Sequence, residues 1–422
     1  MSNKKQYKFK LIILNFLEFA VWGSYLTCMG AYLGKMGMGP QIGWFYAVQG
    51  IVSLFMPALI GIIADKWIPA QKVLAFCHLI AAIFMIAAGV YGIQSGADVQ
   101  FGTLFTLYTI SVAFFMPTIA MDNSVCYTTI ANHGEDEQIV FPPIRVFGTI
   151  GFIFSMVLVD LIGFQATPYQ FVLSGGLGIL MFIVSLLQEN CPVSKIQQSQ
   201  TISKRLGLDA FKLFKEKKMA IFFIFSMLLG VSLQITNAYA NPFINHFADI
   251  SKYTNTFAVN HANIIISISQ LSETLCILLI PFFLKRYGIK KVMLIAMIAW
   301  VFRFVLFGLG NPGPGVWMFI LSMIVYGIAF DFFNISGSLF VNQEVDSSIQ
   351  SSAQGLFMLM TNGLGATIGT LSAQAVVNHF VYNSATPNWS SAWYVFSAYA
   401  LLVAVLFAIL FKYKHLPIPA KK

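Results

Sequence analysis

The stretch Leu321–Val341, LSMIVYGIAFDFFNISGSLFV, places a carboxylate where lipid is expected. Asp331 lies in a run of about two dozen residues that otherwise has the length and apolarity of a membrane span. A charge near a bilayer centre costs at least about 2.5–3.5 kcal/mol on the mildest insertion scale. Asp331 is therefore expected to face a protein interior or a wet cavity. On the same helix Tyr326 and Phe330 stand four residues apart and share a face, with Asn334 one turn beyond. Two rings, an amide and an acid on one span predict the wall of a polar site inside a membrane.

Composition agrees. The 422 residues are 58% hydrophobic and 10% charged, which excludes a soluble globule. The formal charge of +9 forms no nucleic-acid patch, because the bases flank the apolar runs. Cys28, Cys77, Cys126, Cys191 and Cys276 show no CxxC or metal spacing and read as small apolar fillers, so neither a metal nor a cofactor is expected. The basic start MSNKKQYKFK leads into an apolar run without a small-residue cleavage site, and predicts a retained first span.

The chain is thus expected to be an all-α integral membrane protein with twelve transmembrane helices. Their approximate limits are 11–33, 42–63, 73–93, 101–121, 142–163, 168–188, 219–246, 260–284, 292–310, 316–341, 353–377 and 391–411. Lys and Arg orient them. Twenty-one lie on the side of the termini, only Lys35 and Lys252 on the other, and Arg145 and Arg303 within spans. Such a split predicts that both termini face the cytoplasm.

The longest loop, Glu189–Lys218, divides the spans six and six. Its segment ISKRLGLDAFKLFKEKK has the basic amphipathic pattern of a helix on the membrane surface. The expected organisation is an N-terminal six-helix bundle (1–188), a cytoplasmic linker (189–218) and a C-terminal six-helix bundle (219–422). A basic tight loop follows the second span, GIIADKWIPAQKV (61–73), and another follows the eighth, PFFLKRYGIKKV (281–292). Such an echo points to a duplicated six-span unit. Duplicated halves with a substrate site expected between them are a transporter architecture.

GIIADKW resembles the G-x-x-x-D-R/K signature of the major facilitator superfamily. The chain is more specifically similar to the bacterial nucleoside:proton symporters, the nucleoside and xanthosine permeases. The similarity runs through FLEFAVWGSYLT (16–27), FMPALIGIIADKW (55–67), FPPIRVFGTIGF (141–152), LGLDAFKLFKEKKMAIFFIFSMLLG (206–230), LQITN (233–237), ISQLSETL (268–275), RYGIKKVM (286–293), IVYGIAFDFFNISGS (324–338) and SAQGLFMLMTNG (352–363). It departs at the acidic loop GEDEQ (134–138). The resemblance implies a multi-pass protein of the bacterial cytoplasmic membrane, working as a monomer among lipids, that takes up nucleosides with protons by alternating access.

Helical spacing points to a site independently. Arg145, Thr149 and Phe152 fall on one face of the fifth span, and Gln234, Asn237 and Asn241 form a stripe on the seventh. Gln270 and Glu273 are three apart on the eighth; Tyr326 and Phe330 are four apart on the tenth. A nucleobase offers a flat face for rings and an edge for amides, and ribose hydroxyls suit Glu273 and Gln270. The resemblance implies that Arg145, Thr149, Phe152, Gln234, Asn237, Gln270, Glu273, Tyr326 and Phe330 form or adjoin the nucleoside site. Glu273, Asp331 and Arg145 are the expected proton-coupling groups. A carboxylate in an apolar site has a raised pKa and can cycle near neutrality.

Plainer readings stand beside these. Gln234, Asn237, Asn241 and Asn362 could simply bond between helices, and Phe152 and Phe330 could be packing among 41 phenylalanines. Glu18 and Asp160, near opposite span ends, are expected at solvated rims. Arg303 is a candidate counter-ion for Asp331, and His78 reads as hydrogen-bonded packing. Gly148, Gly151, Gly365 and Gly369 are expected to let helices approach closely. No nucleotide-binding, HExxH or nucleophile–base pattern appears, so an ATPase or enzyme is not expected. A transporter of another small polar solute, such as a sugar or a xanthosine-like purine, is the alternative.

Overall fold

From Ala262 to Leu309 the chain forms 48 residues of helix. At about 1.5 Å per residue that is about 72 Å, more than twice the hydrocarbon core of a bilayer. The backbone breaks once, at Gly288, with φ 74° and ψ 166°. Only glycine adopts that conformation readily. Ser272 donates to the Ile324 carbonyl at 2.5 Å, and Arg303 Nη1 donates to the Ser322 carbonyl at 2.6 Å. The two arms therefore reach neighbouring positions of one following helix. The segment is two spans folded back on each other at RYGIKK, where the basic loop is expected.

The computed structural model describes residues 3–191, 208–346 and 349–413, and every element among them is a helix. In chain order these are α1 (Asn3–Gly23), α2 (Met29–Lys35), α3 (Ile42–Ser53), α4 (Met56–Lys66), α5 (Ala70–Ser95), α6 (Phe101–Phe115), α7 (Thr118–Asn132), α8 (Glu137–Leu161) and α9 (Tyr169–Leu186). Then come α10 (Lys217–His246), α11 (Ala262–Leu309), α12 (Val316–Glu344), α13 (Gln350–Met358), α14 (Ala366–Val377) and α15 (Trp389–Leu410).

Among the described residues nine helical stretches, and one pair bent by 41°, are long and apolar enough to cross a membrane. Dividing α11 at Gly288 and adding the lysine-led α1 matches the twelve expected spans. Several are broken where the sequence gives cause. The second bends before Pro57 at the start of α4, and the fourth is interrupted at Pro117, just before α7. The eleventh passes through a π-helical turn, Leu359–Gly365, between α13 and α14. Such turns widen a helix and recur at functional sites.

Two compact units divide the chain, Met1–Thr201 and Ile202–Lys422. In the first, Leu11, Leu14, Leu74, Val125, Ile130, Ile144 and Met181 pack into one apolar core. All five cysteines are buried and unbridged, as fillers should be. Of the expected linker helix, 192–207 lies outside the described residues, and Leu208–Lys215 forms a short 3-10 helix. The side chains of Asp65 and Lys66 in the GIIADKW loop also lie outside the description.

Three expectations about charges are corrected. Glu18 and Asp160 are 0% and 3% exposed, not rim groups, because α1 and α8 are covered by neighbours of their own bundle. Arg303 is no counter-ion for Asp331: its guanidinium binds the Ser322 carbonyl, and Ser322 Oγ donates back to the Arg303 carbonyl at 3.0 Å. The glycines behave as expected. A Cβ on Gly148 would meet the Phe19 ring at 2.7 Å, and one on Gly151 the Phe16 carbonyl. A Cβ on Gly365 would meet the Met227 carbonyl at 2.5 Å, and one on Gly369 the Val231 backbone at 2.4 Å.

Candidate functional site

The N-terminal unit presents its expected residues on α8. Arg145 and Thr149 are half-buried and Phe152 is buried, whereas Val146, Phe147, Ile150 and Phe154 between them are exposed on the opposite face. The close glycine contacts seat α8 on α1, and this sets what the polar face meets. The Arg145 guanidinium lies 3.8 Å from the centre of the Phe19 ring. Phe152 meets Trp22 edge-on at 6.2 Å. Trp22 Nε1 donates to Gln49 at 3.4 Å, and Gln49 Nε2 donates to the Tyr108 hydroxyl at 2.9 Å. A cation, an amide and four rings thus gather on α1, α3, α6 and α8 of this unit. Trp22 and Gln49 were missed by sequence reasoning, although a lone amide inside a span is a signal that could have found Gln49.

In the C-terminal unit Tyr326 and Phe330 lie parallel, tilted by 3° with centroids 5.6 Å apart. Arg303 sits 4.6 Å above the Tyr326 ring, and Trp300 meets that ring edge-on at 5.9 Å. Gln270 hydrogen-bonds the Tyr326 hydroxyl, and Glu273 interacts electrostatically with both Tyr326 and Asp331. On α10 Asn237 Nδ2 donates to Gln234 Oε1 at 3.0 Å, with both side chains half-buried. Asn241 instead bridges to Asn263 on α11 at 2.9 Å, the helix-to-helix role expected of a structural amide.

A narrow cavity opens beside Phe330, walled by Leu233, Trp300, Asn334, Thr361 and Asn362. Its last two walls come from the π-helical turn. Trp300 and Thr361 were missed, since a Trp or Thr in an apolar span carries no signal of its own. Asp331 is 5% exposed, and its Oδ2 has no hydrogen-bond partner among the described residues. Within this unit the structure brings Gln270, Glu273, Tyr326, Phe330 and Asp331 together. The Gln234–Asn237 pair lies on α10, which also supplies Leu233 to the cavity.

Apolar membrane-length helices with acids, amides and rings turned into their own bundles fit a transporter of the major facilitator type. The chain belongs to the nucleoside H+ symporter family, whose model matches residues 5–416. It is 46% identical to the nucleoside permease NupG of Escherichia coli (strain K12) over 415 residues, 98% of this chain and 97% of that protein. It is 44% identical to the xanthosine permease of Escherichia coli (strain K12) over 412 residues, 97% of this chain and 96% of that one. A crystal structure of the nucleoside transporter NupG superposes with a TM-score of 0.88 at 46% identity, covering 97% of this chain and 100% of that one. The protein is accordingly a multi-pass component of the bacterial cytoplasmic membrane that moves nucleosides with protons.

Proposed function

We propose that this symporter reads the nucleobase with the Phe330–Tyr326 ring pair and the Gln234–Asn237 amides, and the ribose with Gln270 and Glu273. Arg145, Thr149 and Phe152 supply the N-terminal unit's share of contacts. The observation that carries this reading is the parallel ring pair itself. Its outer member, Phe330, borders a cavity, while its inner member is fixed by Arg303 above and Gln270 at the hydroxyl. A ring held on one side and free on the other is a stacking platform for a flat ligand.

Glu273 and Asp331 are the proposed coupling acids and Arg145 the cation that helps a proton leave. Two neighbouring acids, Asp331 buried and Glu273 half-buried, do not hold two negative charges without cost, so proton occupancy there answers to what else fills the site. Glu273 shares its helix face with Gln270, which ties its charge state to the ribose. The chain works as a monomer in this reading. The test is uptake in a permease-deficient bacterium with a panel of labelled nucleosides that includes xanthosine. Accumulation that an uncoupler abolishes and unlabelled nucleosides compete supports the reading. Accumulation of a sugar unaffected by nucleosides overturns it.

A further inference from the structure

The N-terminal unit contains a second set of buried titratable groups that the scheme above does not use. Glu18 on α1, His78 on α5, and Thr118 and Asp122 on α7 are each 0% exposed. Glu18 Oε2 lies 2.7 Å from His78 Nε2, and Glu18 Oε1 lies 2.6 Å from the Thr118 hydroxyl. The same hydroxyl lies 2.6 Å from the Phe115 carbonyl. The hydroxyl's single proton is shared between the two acceptors. Glu18 thus ties α1 to α5 and α7 in one buried hydrogen-bonded set.

Asp122 lies one turn beyond Thr118 on the same face of α7. Neither of its carboxylate oxygens has a hydrogen-bond partner among the described residues. An ionised carboxylate so placed is costly, and a bound proton removes the charge. The charged groups it senses are Glu18 and Arg145. The remaining titratable groups around the set are Cys77 on α5 and Cys126 on α7; Cys126 accepts from Asn15 of α1 at 3.1 Å. Arg145, on α8, has its guanidinium laid on Phe19, the residue after Glu18. A cation parked one residue from the set can compensate Asp122 when the acid loses its proton.

We propose that the N-terminal unit holds a proton-binding centre of its own, in which Asp122, beside the Glu18–Thr118–His78 set, takes up and releases a proton in each transport cycle. The ligand is the proton, and the bond made and broken is O–H at the Asp122 carboxyl. The proton leaves to water, and the Arg145 guanidinium balances the carboxylate left behind. The centre rests on the family's proton symport and not on the assignments of Glu273 and Asp331.

The test counts protons per nucleoside from the reversal potential of purified protein in liposomes, in the wild type, Asp122→Asn, Asp122→Leu and Glu273→Gln. Asn copies the neutral acid. Leu is tolerated by a site that offers the carboxylate no hydrogen bonds, so at least one variant folds. The expected result is one proton fewer per nucleoside in the Asp122 variants, with nucleoside counterflow retained. Infrared difference spectra between acid and alkaline buffer should also lose one protonated-carboxyl band in both. An unchanged ratio and an unchanged band in either folded variant overturn the centre and leave Asp122 a structural residue. No proton movement in the wild type overturns symport itself, which separates the two failures.

Discussion

The Phe330 ring lies parallel to Tyr326, tilted by only 3° at a centroid distance of 5.6 Å. Both rings sit on α12, four residues apart, so helix geometry alone brings them to one face. What makes the pair a platform is tertiary: Arg303 and Trp300, from the second arm of α11, hold Tyr326, while Phe330 keeps a side toward the cavity.

Removing the platform should weaken binding in a measurable way. Phe330→Ala is expected to cost about 1–3 kcal/mol, roughly 5- to 150-fold in nucleoside Kd. Gln270→Ala should cost a comparable amount, because it leaves a buried partner unsatisfied. Calorimetric titration of the purified, folded variants reads both. Wild-type affinity in each would move recognition away from this wall.

The glycine contacts predict a stability effect that differs by helix face. Gly151→Ala drives a Cβ into the Phe16 carbonyl and must push α8 off α1. Overpacking of that kind costs about 1–3 kcal/mol and should lower the melting temperature and uptake together. Gly176, on an exposed face of α9, has nothing within 4 Å of an added Cβ. Gly176→Ala should be neutral or stabilising by up to about 1 kcal/mol. Equal melting shifts for the two would show that close approach of α1 and α8 is not what Gly151 provides.

Span positions were legible in the sequence because a bilayer imposes length and apolarity on every helix, and basic loops break the pattern. The polar stripes were legible for the same reason, as departures from apolarity at helical spacing. The chemistry around Glu18 was not. An acid two turns from a span end reads as a rim group until the neighbouring helices are placed over it, and His78 gains its meaning only from that acid. Asp122 escaped because the fourth span was ended at residue 121. Pro117 interrupts the helix without ending the span, and α7 carries it on to Asn132. Arg303 misled in the opposite direction. A lone cation and a lone acid in one bundle suggest a pair, but the carbonyl of Ser322 lies closer to hand.

Topology makes an independent prediction from charge. Phe211→Cys, in the short helix before α10, and Asn383→Cys, in the exposed loop before α15, should label from opposite sides of the membrane in a background lacking the five native cysteines. An impermeant reagent added to intact cells should reach Asn383→Cys only. Reaction at Phe211→Cys under the same conditions would contradict cytoplasmic termini.

The two acids of the C-terminal unit should separate in paired assays. Energy coupling needs a group whose proton occupancy depends on substrate, and Glu273 stands on the same face as Gln270, whose amide is already engaged with Tyr326. Asp331 lies about 100° around its helix from Phe330 and is 5% exposed, packed against neighbouring helices and not toward the ring face. A neutral mimic keeps shape and removes titration. Glu273→Gln is therefore expected to lose uphill accumulation driven by a pH gradient while still exchanging labelled for unlabelled nucleoside. Asp331→Asn should slow both modes, because the helix contacts it alters must change for either. Both are measured in the same proteoliposomes. Full proton-driven accumulation by Glu273→Gln, with accumulation lost and exchange spared in Asp331→Asn, would exchange the two roles: Asp331 would then be the acid that loads the proton, and Glu273 a hydrogen-bonding group for the ribose.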